Sequence, residues 1–383
     1  MNIKLFKLTD TKLSNEVIKA DNNFINELND ALFDEDFYLD PNARNYLYPV
    51  VMVESDKYEA SFKKIRGKLI NPVIILSGKS RTAFKGALEL NARLMIEGYH
   101  PLVVKGNDAD DASIISEVAK VMIAKSKISN NNIALIGNLD EKQYDKKNIN
   151  GELLKKHQLN LIKIGNTELE DVINKVKPSS LPQKIILNKL FNPSDYAAFN
   201  KLYSAIMYLV DKYHLIGICL NVDFDIHFLY PLASLLNEKG VSLILENDLH
   251  GLLSLMLLNA LNDSIAVYAS IVNVDLEKND IVISSNSVPF SFISKEGTVD
   301  NGNITILKFG YDNKHFLAIS GKINSSRLVN GEVELTVHLE ERELFELFRE
   351  ATGGTFAFSY GDSIANIFAY DNILYFDNHI LKN

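Results

Sequence analysis

Asn71 to Gly106 reads NPVIILSGKSRTAFKGALELNARLMIEGYHPLVVKG, and the reading of this stretch decides the fold class. Its opening, NPVIILSG, is a short apolar, β-branched run closed by glycine, the pattern of a strand buried on both faces of a parallel sheet. AFKGALELNARLMIEG then places Ala83, Ala87, Leu90, Leu94 and Met95 on one helical face, with Gly98 at the expected C-terminal cap. HPLVVKGND, from His100 to Asp108, returns to strand. A strand, an amphipathic helix and a second strand at this spacing form a βαβ unit, which requires a parallel sheet.

Outward toward the C-terminus the alternation continues. Residues 113–127 read as helix, 131–140 and 159–165 as strands, and 167–176 as helix. Lys177 to Gln183, KPSSLPQ, concentrates two prolines and two serines and reads as a linker. Beyond it lie a long amphipathic helix from Ser194, the strand LIGICLNVDFD, a helix holding Pro231 and the strand VSLILE. LHGLLSLMLLNALND follows, apolar on nearly every side and therefore expected to be buried all round. The strand SIAVYASIVNVD ends this unit. From Asn279 the hydrophobic period becomes two, broken by Gly, Asn and Asp turns, which predicts an antiparallel sheet or barrel.

The expectation is two doubly wound parallel-sheet α/β domains followed by a C-terminal antiparallel, barrel-like β domain. The boundaries read as 1–70 for a helical or irregular N-terminal segment, 71–177 and 178–278 for the α/β domains, and 279–383 for the β-rich domain with a closing helix and strand.

Composition narrows the function classes. A net charge of −9 argues against nucleic acid as the main partner. The single cysteine, Cys219, excludes an intramolecular disulfide and a Cys-rich zinc site. Met1 to Asp10 lacks a signal-peptide core, and no apolar run reaches membrane-spanning length, so the expected location is the cytoplasm. SGKSRTAFKG lacks the spacing of a phosphate loop, so no nucleotide cofactor is expected; Ser80 or Thr82 reads as a helix cap, with an anion or sugar hydroxyl held by Ser77 to Thr82 at the helix N-terminus as the alternative.

Chemistry concentrates in Leu243–Leu253, LILENDLHGLL. Glu246 falls at the carboxyl end of a strand, where α/β sheets place ligands. Asp248 falls at the start of the next helix, where a carboxylate caps free N–H groups. His227 and His250 are near in sequence, and each has an ordinary structural role as an alternative.

LENDLHGLLSLMLLNAL together with SIAVYASIVNVDLEKNDIVI resembles the metal-binding core of the L-fucose isomerase family, related to the L-arabinose isomerases. The likeness extends from about residue 70 to the C-terminus, through GNITILKF, FLAISGKI, GEVELTV and GGTFAFSYGD. It implies an aldose–ketose isomerase of carbohydrate metabolism that works through an enediol, with Mn²⁺ held by Glu, Asp and His. Members are multimers, which implies a homo-oligomer with a small-molecule sugar as ligand. Carried over, Glu246 is the glutamate ligand, while the aspartate and histidine positions are Ser270 and Thr355. The resemblance implies Glu246 and Asp248 as proton carriers, and Ser270, Thr355, His250 and His227 as sugar contacts. Three alternatives stay open: a shifted register in which Asp275 or Asp362 ligates, a remodelled set of Glu246, Asp248 and His250, and a catalytically silent sugar-binding or regulatory relative.

Overall fold

A computed structural model describes residues 1–104, 109–138, 149–178, 181, 191–262, 265–285, 302–313, 315–329, 332–351 and 353–380. The chain forms two compact units, Met1–Lys125 with Asn366–Asn383, and Ser126–Ala365. Parallel sheets and a closed six-stranded antiparallel barrel make this a mixed α/β protein.

The first unit opens with β1 (Asn2–Leu8), α1 (Asn15–Phe33), β2 (Tyr38–Asp40), β3 (Pro49–Val53) and α2 (Glu59–Ile65). It continues with β4 (Val73–Ser77), α3 (Ala83–Ile96), β5 (Pro101–Val104) and α4 (Ala109–Ile128). The strands pair in parallel in the order β2-β1-β3-β4-β5. Alternation within each strand divides the core in two. Val50, Met52, Ile74 and Leu76 pack with α1 and α4 residues such as Leu28 and Ile115. Val51, Val53, Val73 and Ile75 pack with Phe62, Leu90 and Leu94 of α2 and α3. Helices on both faces are what a continuous β-branched strand requires.

Several expectations give way here. Residues 1–70 are not a separate helical or irregular segment, because β1, β2 and β3 complete the sheet of β4 and β5. Met95 is exposed, since it lies beside the buried stripe of Ala83, Ala87, Leu90 and Leu94. Gly98 does cap α3, with φ +88° and Tyr99 N–H donating to the Leu94 carbonyl. Neither Ser80 nor Thr82 caps α3 through its side chain: Ser80 Oγ donates to the Glu54 carbonyl, and Thr82 Oγ1 accepts from Asp56 N–H. Lys105 to Asp108, and much of the KPSSLPQ segment, lie outside the described residues.

The second unit holds β6 (Asn132–Gly137), α5 (Ile149–His157), β7 (Asn160–Gly165), α6 (Asn166–Lys175), α7 (Pro193–Tyr213) and β8 (Leu215–Asn221). After these come α8 (Ile226–Glu238), β9 (Ser242–Ile244) and α9 (Leu249–Leu261). The parallel sheet runs β7-β6-β8-β9, so the strands on either side of the proline-rich segment share one sheet. The expected division at 177/178 is therefore not a division between sheets. The barrel comprises β10 (Val267–Asp275), β11 (Asp280–Ser285), β12 (Asn303–Phe309), β13 (Phe316–Val329), β14 (Glu332–His338) and β15 (Thr355–Tyr360). Its order is β10-β11-β14-β13-β12-β15, closed by β15 on β10. β10 thus belongs to the barrel, ahead of the expected boundary at 279. Ile281, Ile283, Ile306, Leu335, Val337 and Phe358 fill it, and Leu344 and Leu347 of α10 (Glu341–Glu350) pack against them. The closing helix α11 (Ile364–Ile380) belongs from Asn366 to the first unit rather than to the β domain.

Helix α9 explains how a segment can be apolar all round. It contacts β8 and β9 of the parallel sheet and β12 and β15 of the barrel, and Leu249 to Leu258 are buried. A helix held between two sheets has no solvent face to make polar.

Candidate functional site

The start of α9 is where the sheet's carboxyl edge meets the barrel wall. β9 ends at Ile244, and two residues later Glu246 projects as an exposed carboxylate. Asp248 is the N-cap of α9, its Oδ1 accepting from Gly251 N–H at 3.0 Å. The expected capping role is therefore present, and it occupies one carboxylate oxygen only.

The other oxygen, Oδ2, is held by three groups from the barrel side. The Lys308 ammonium forms a close ion pair with it, the Tyr268 hydroxyl donates at 3.0 Å and the Tyr311 hydroxyl at 3.3 Å. Lys308 is only 1% exposed and Asp248 5%, so both charges are removed from water and must satisfy each other. Burial pushes the Asp248 carboxyl up, but the Lys308 charge and its hydrogen bond, with those from Gly251 and Tyr268, bring it below the ordinary range. Burial, and then the charges of Asp248 and Glu246, push the Tyr268 phenol well up, which keeps it a proton donor.

From this pair a hydrogen-bonded path leads outward. Lys308 Nζ donates to the Tyr268 hydroxyl at 3.0 Å, and Tyr268 lies 2.9 Å from Thr355 Oγ1. Thr355 in turn donates to Glu246 Oε1 at 3.2 Å. Since a phenol has one proton, Tyr268 donates either to Asp248 or to Thr355 at any moment. Ser270 and Thr355 are cross-strand partners on β10 and β15.

Glu246, Tyr268, Ser270 and Thr355 line one cleft with Ser284, Ser285 and Tyr230. Its volume is about 390 Å³, within the range of small-molecule sites. The hydroxyls of Tyr268, Ser270, Ser284, Ser285 and Thr355 and the apolar side chains of Ile226, Ile244 and Val272 give it a mixed polar and apolar lining.

Three of the six residues singled out in sequence therefore meet in the cleft: Glu246, Ser270 and Thr355. Asp248 lies directly behind them through Tyr268. His250 is buried, with Nε2 2.9 Å from Asn313 Oδ1 and its ring edge-on to Tyr311 at 5.0 Å. It supports Tyr311 and is not among the lining residues. His227 is exposed on α8, edge-on to Phe191, while its helix neighbours Ile226 and Tyr230 line the cleft. Asp275 is bound up in its own turn with Glu277 and Lys278, and Asp362 accepts from Ile364 N–H, so neither joins Glu246. Cys219 is buried in β8, as a strand thiol usually is.

Sequence reasoning missed Tyr268, Lys308 and Gly251. A lysine among Ile304, Ile306, Leu307 and Phe309 is a signal, because lysines are almost never buried without a partner. Gly251 within an otherwise strongly helical run is another. A Cβ there would sit 2.4 Å from the Tyr268 hydroxyl and 2.8 Å from Asp248 Oδ2, so only glycine lets the phenol reach the helix start.

Among the described residues no three His, Cys, Asp or Glu side chains are gathered as a metal site. The donors at hand do not fit Mn²⁺. Among the described lining residues Glu246 is the one carboxylate, Ser270 and Thr355 offer neutral hydroxyls, and Asp248 Oδ2 is already filled by an ammonium and two phenols. No described helix is long and apolar enough to cross a membrane. No known family model matches the chain, and no curated protein gives a significant match.

Proposed function

We propose that the cleft binds a small sugar and catalyses aldose–ketose isomerisation through an enediol, as the resemblance to fucose and arabinose isomerases implies. The observation carrying this reading is the single path from buried Lys308 through Tyr268 and Thr355 to Glu246 at a hydroxyl-lined cleft. Glu246 takes the proton from C2 of the open-chain aldose and returns it to C1. The carbonyl oxygen gains a proton as the enediol forms, and the C2 hydroxyl loses one as the ketose forms, so the sugar's composition is unchanged. Tyr268 and Thr355 are the hydroxyl donors placed to hold the oxygen on which charge develops. The same reading carries a cytoplasmic homo-oligomer.

Proton NMR in D₂O with pentoses and deoxyhexoses provides the test. The expected result is loss of the C2 proton signal and appearance of the ketose, slowed about 10²- to 10⁴-fold in Glu246→Gln. Saturable sugar binding with no exchange would replace isomerisation by the sugar-binding reading, and no binding would sink both.

A further inference from the structure

The positive charge at this site already has an owner. Lys308 is buried in β12, and the partners described for its ammonium are Asp248 Oδ2 and the Tyr268 hydroxyl. Asp248 is filled on both oxygens, by Gly251 N–H on one and by Lys308, Tyr268 and Tyr311 on the other. A divalent ion shared between Asp248 and Glu246 would have to displace that ammonium and break the Tyr268 contacts. It would otherwise sit within a few bonds of a buried like charge.

We propose that the Lys308 ammonium, presented to the cleft through the Tyr268 hydroxyl, is the resident cation of this site and excludes a divalent ion from its carboxylates. Lys308 is then a positioning residue: it does not reach substrate, but it fixes the phenol that does. A fixed ammonium holding a phenol does part of what a hard cation does for an enediolate, placing positive potential and a donor where negative charge develops. The gain is a site whose electrostatics are built into the fold. The exclusion of metal stands on geometry alone, while the catalytic role of Tyr268 and Lys308 rests on the isomerase reading.

Mn²⁺ alone, titrated against the full-length protein with free ion followed by electron paramagnetic resonance, tests the exclusion. The wild type is expected to show no stoichiometric uptake up to 1 mM (about the ceiling for a weak protein site), and Lys308→Met is expected to gain at least tenfold in affinity. Uptake by the wild type that Glu246→Gln abolishes would overturn the proposal, as would a folded Lys308→Met protein without the gain. If that variant does not fold, Asp248→Asn/Lys308→Met removes both charges together, and the wild-type titration still decides. In the exchange assay, EDTA is expected to leave the wild-type rate within twofold; a rate lost to EDTA and restored by Mn²⁺ overturns the proposal while leaving the isomerase intact. A wild type that neither exchanges nor takes up Mn²⁺ sinks the isomerase, and the gain in Lys308→Met then decides by itself whether Lys308 is the resident cation.

Discussion

Each of the two units buries an aspartate near the carboxyl edge of its parallel sheet, and the two are treated oppositely. Asp248 is the cap of α9 and is closed on by Lys308, which holds its carboxyl below the ordinary range against the cost of burial. Asp21, in α1, is fully buried; its Oδ1 accepts from Lys79 N–H at 2.6 Å, and its Oδ2 has no hydrogen-bond partner among the described residues. Burial dominates there, so its carboxyl is pushed up despite the Lys79 N–H and the charges of Lys7 and Lys79. The lesson concerns cost: burial is offset at Asp248 by a cation buried with it, while at Asp21 it pushes the carboxyl toward its neutral form.

Taking away that cation is the sharpest way to break the contrast. Lys308→Met leaves Asp248 charged, buried and unpaired, and should cost about 3–5 kcal/mol in urea unfolding. A loss under 1 kcal/mol would mean that Asp248 is solvated and that the contrast with Asp21 is false. Asp248→Asn/Lys308→Met should recover most of the loss, because a buried pair exchanged as a unit is often neutral.

A smaller lever leaves both charges and moves only the phenol. Gly251→Ala drives a methyl into the Tyr268 hydroxyl and Asp248 Oδ2, and overpacking of this kind costs about 1–3 kcal/mol. Helix propensity alone would predict the reverse, a gain of about 1 kcal/mol on replacing glycine by alanine. The sign of the change in melting temperature thus decides whether the close approach is real.

Much of this arrangement was legible from sequence, and the illegible parts have physical reasons. β4, α3 and α9 announce themselves because their environments impose one pattern: apolar throughout for the buried strand, striped for the surface helix, apolar all round for the helix between two sheets. β1 carries Lys4 and Lys7 among its apolar residues, so NIKLFKL reads as polar; Lys4 Nζ in fact donates to the Pro41 and Ala43 carbonyls. The shared sheet of β6 and β8 was hidden because strand pairing joins residues about 80 positions apart, which local periodicity does not encode. Glu246 could be singled out because a strand end is a local feature. Lys308 could not be assigned its role, because its partner lies 60 residues earlier in the chain.

The mildest test concerns Asp21, which has no ion pair among the described residues. The Asp21 carboxyl is raised in the folded state, so native protein binds its proton more tightly than unfolded chain does. Its contribution to stability is complete below the unfolded value near 3.8 and is lost as pH rises through the folded value. Glu54 adds to the same slope, because burial and then the Asp21 charge raise its carboxyl too, while Lys7 opposes both. Asp21→Asn keeps an acceptor for Lys79 N–H and removes the charge. It should be near neutral at pH 3.5 and stabilising by about 1 kcal/mol at pH 7, the usual scale for relieving one unsatisfied buried group. Asp248 should act in the opposite sense, its contribution present above about 3.8 and lost as pH falls through its lower folded value. Urea denaturation of wild type and Asp21→Asn at the two pH values reads the difference directly. If Asp21→Asn were destabilising at pH 7, Asp21 would have a partner as effective as Lys308, and the two units would bury their aspartates by the same rule.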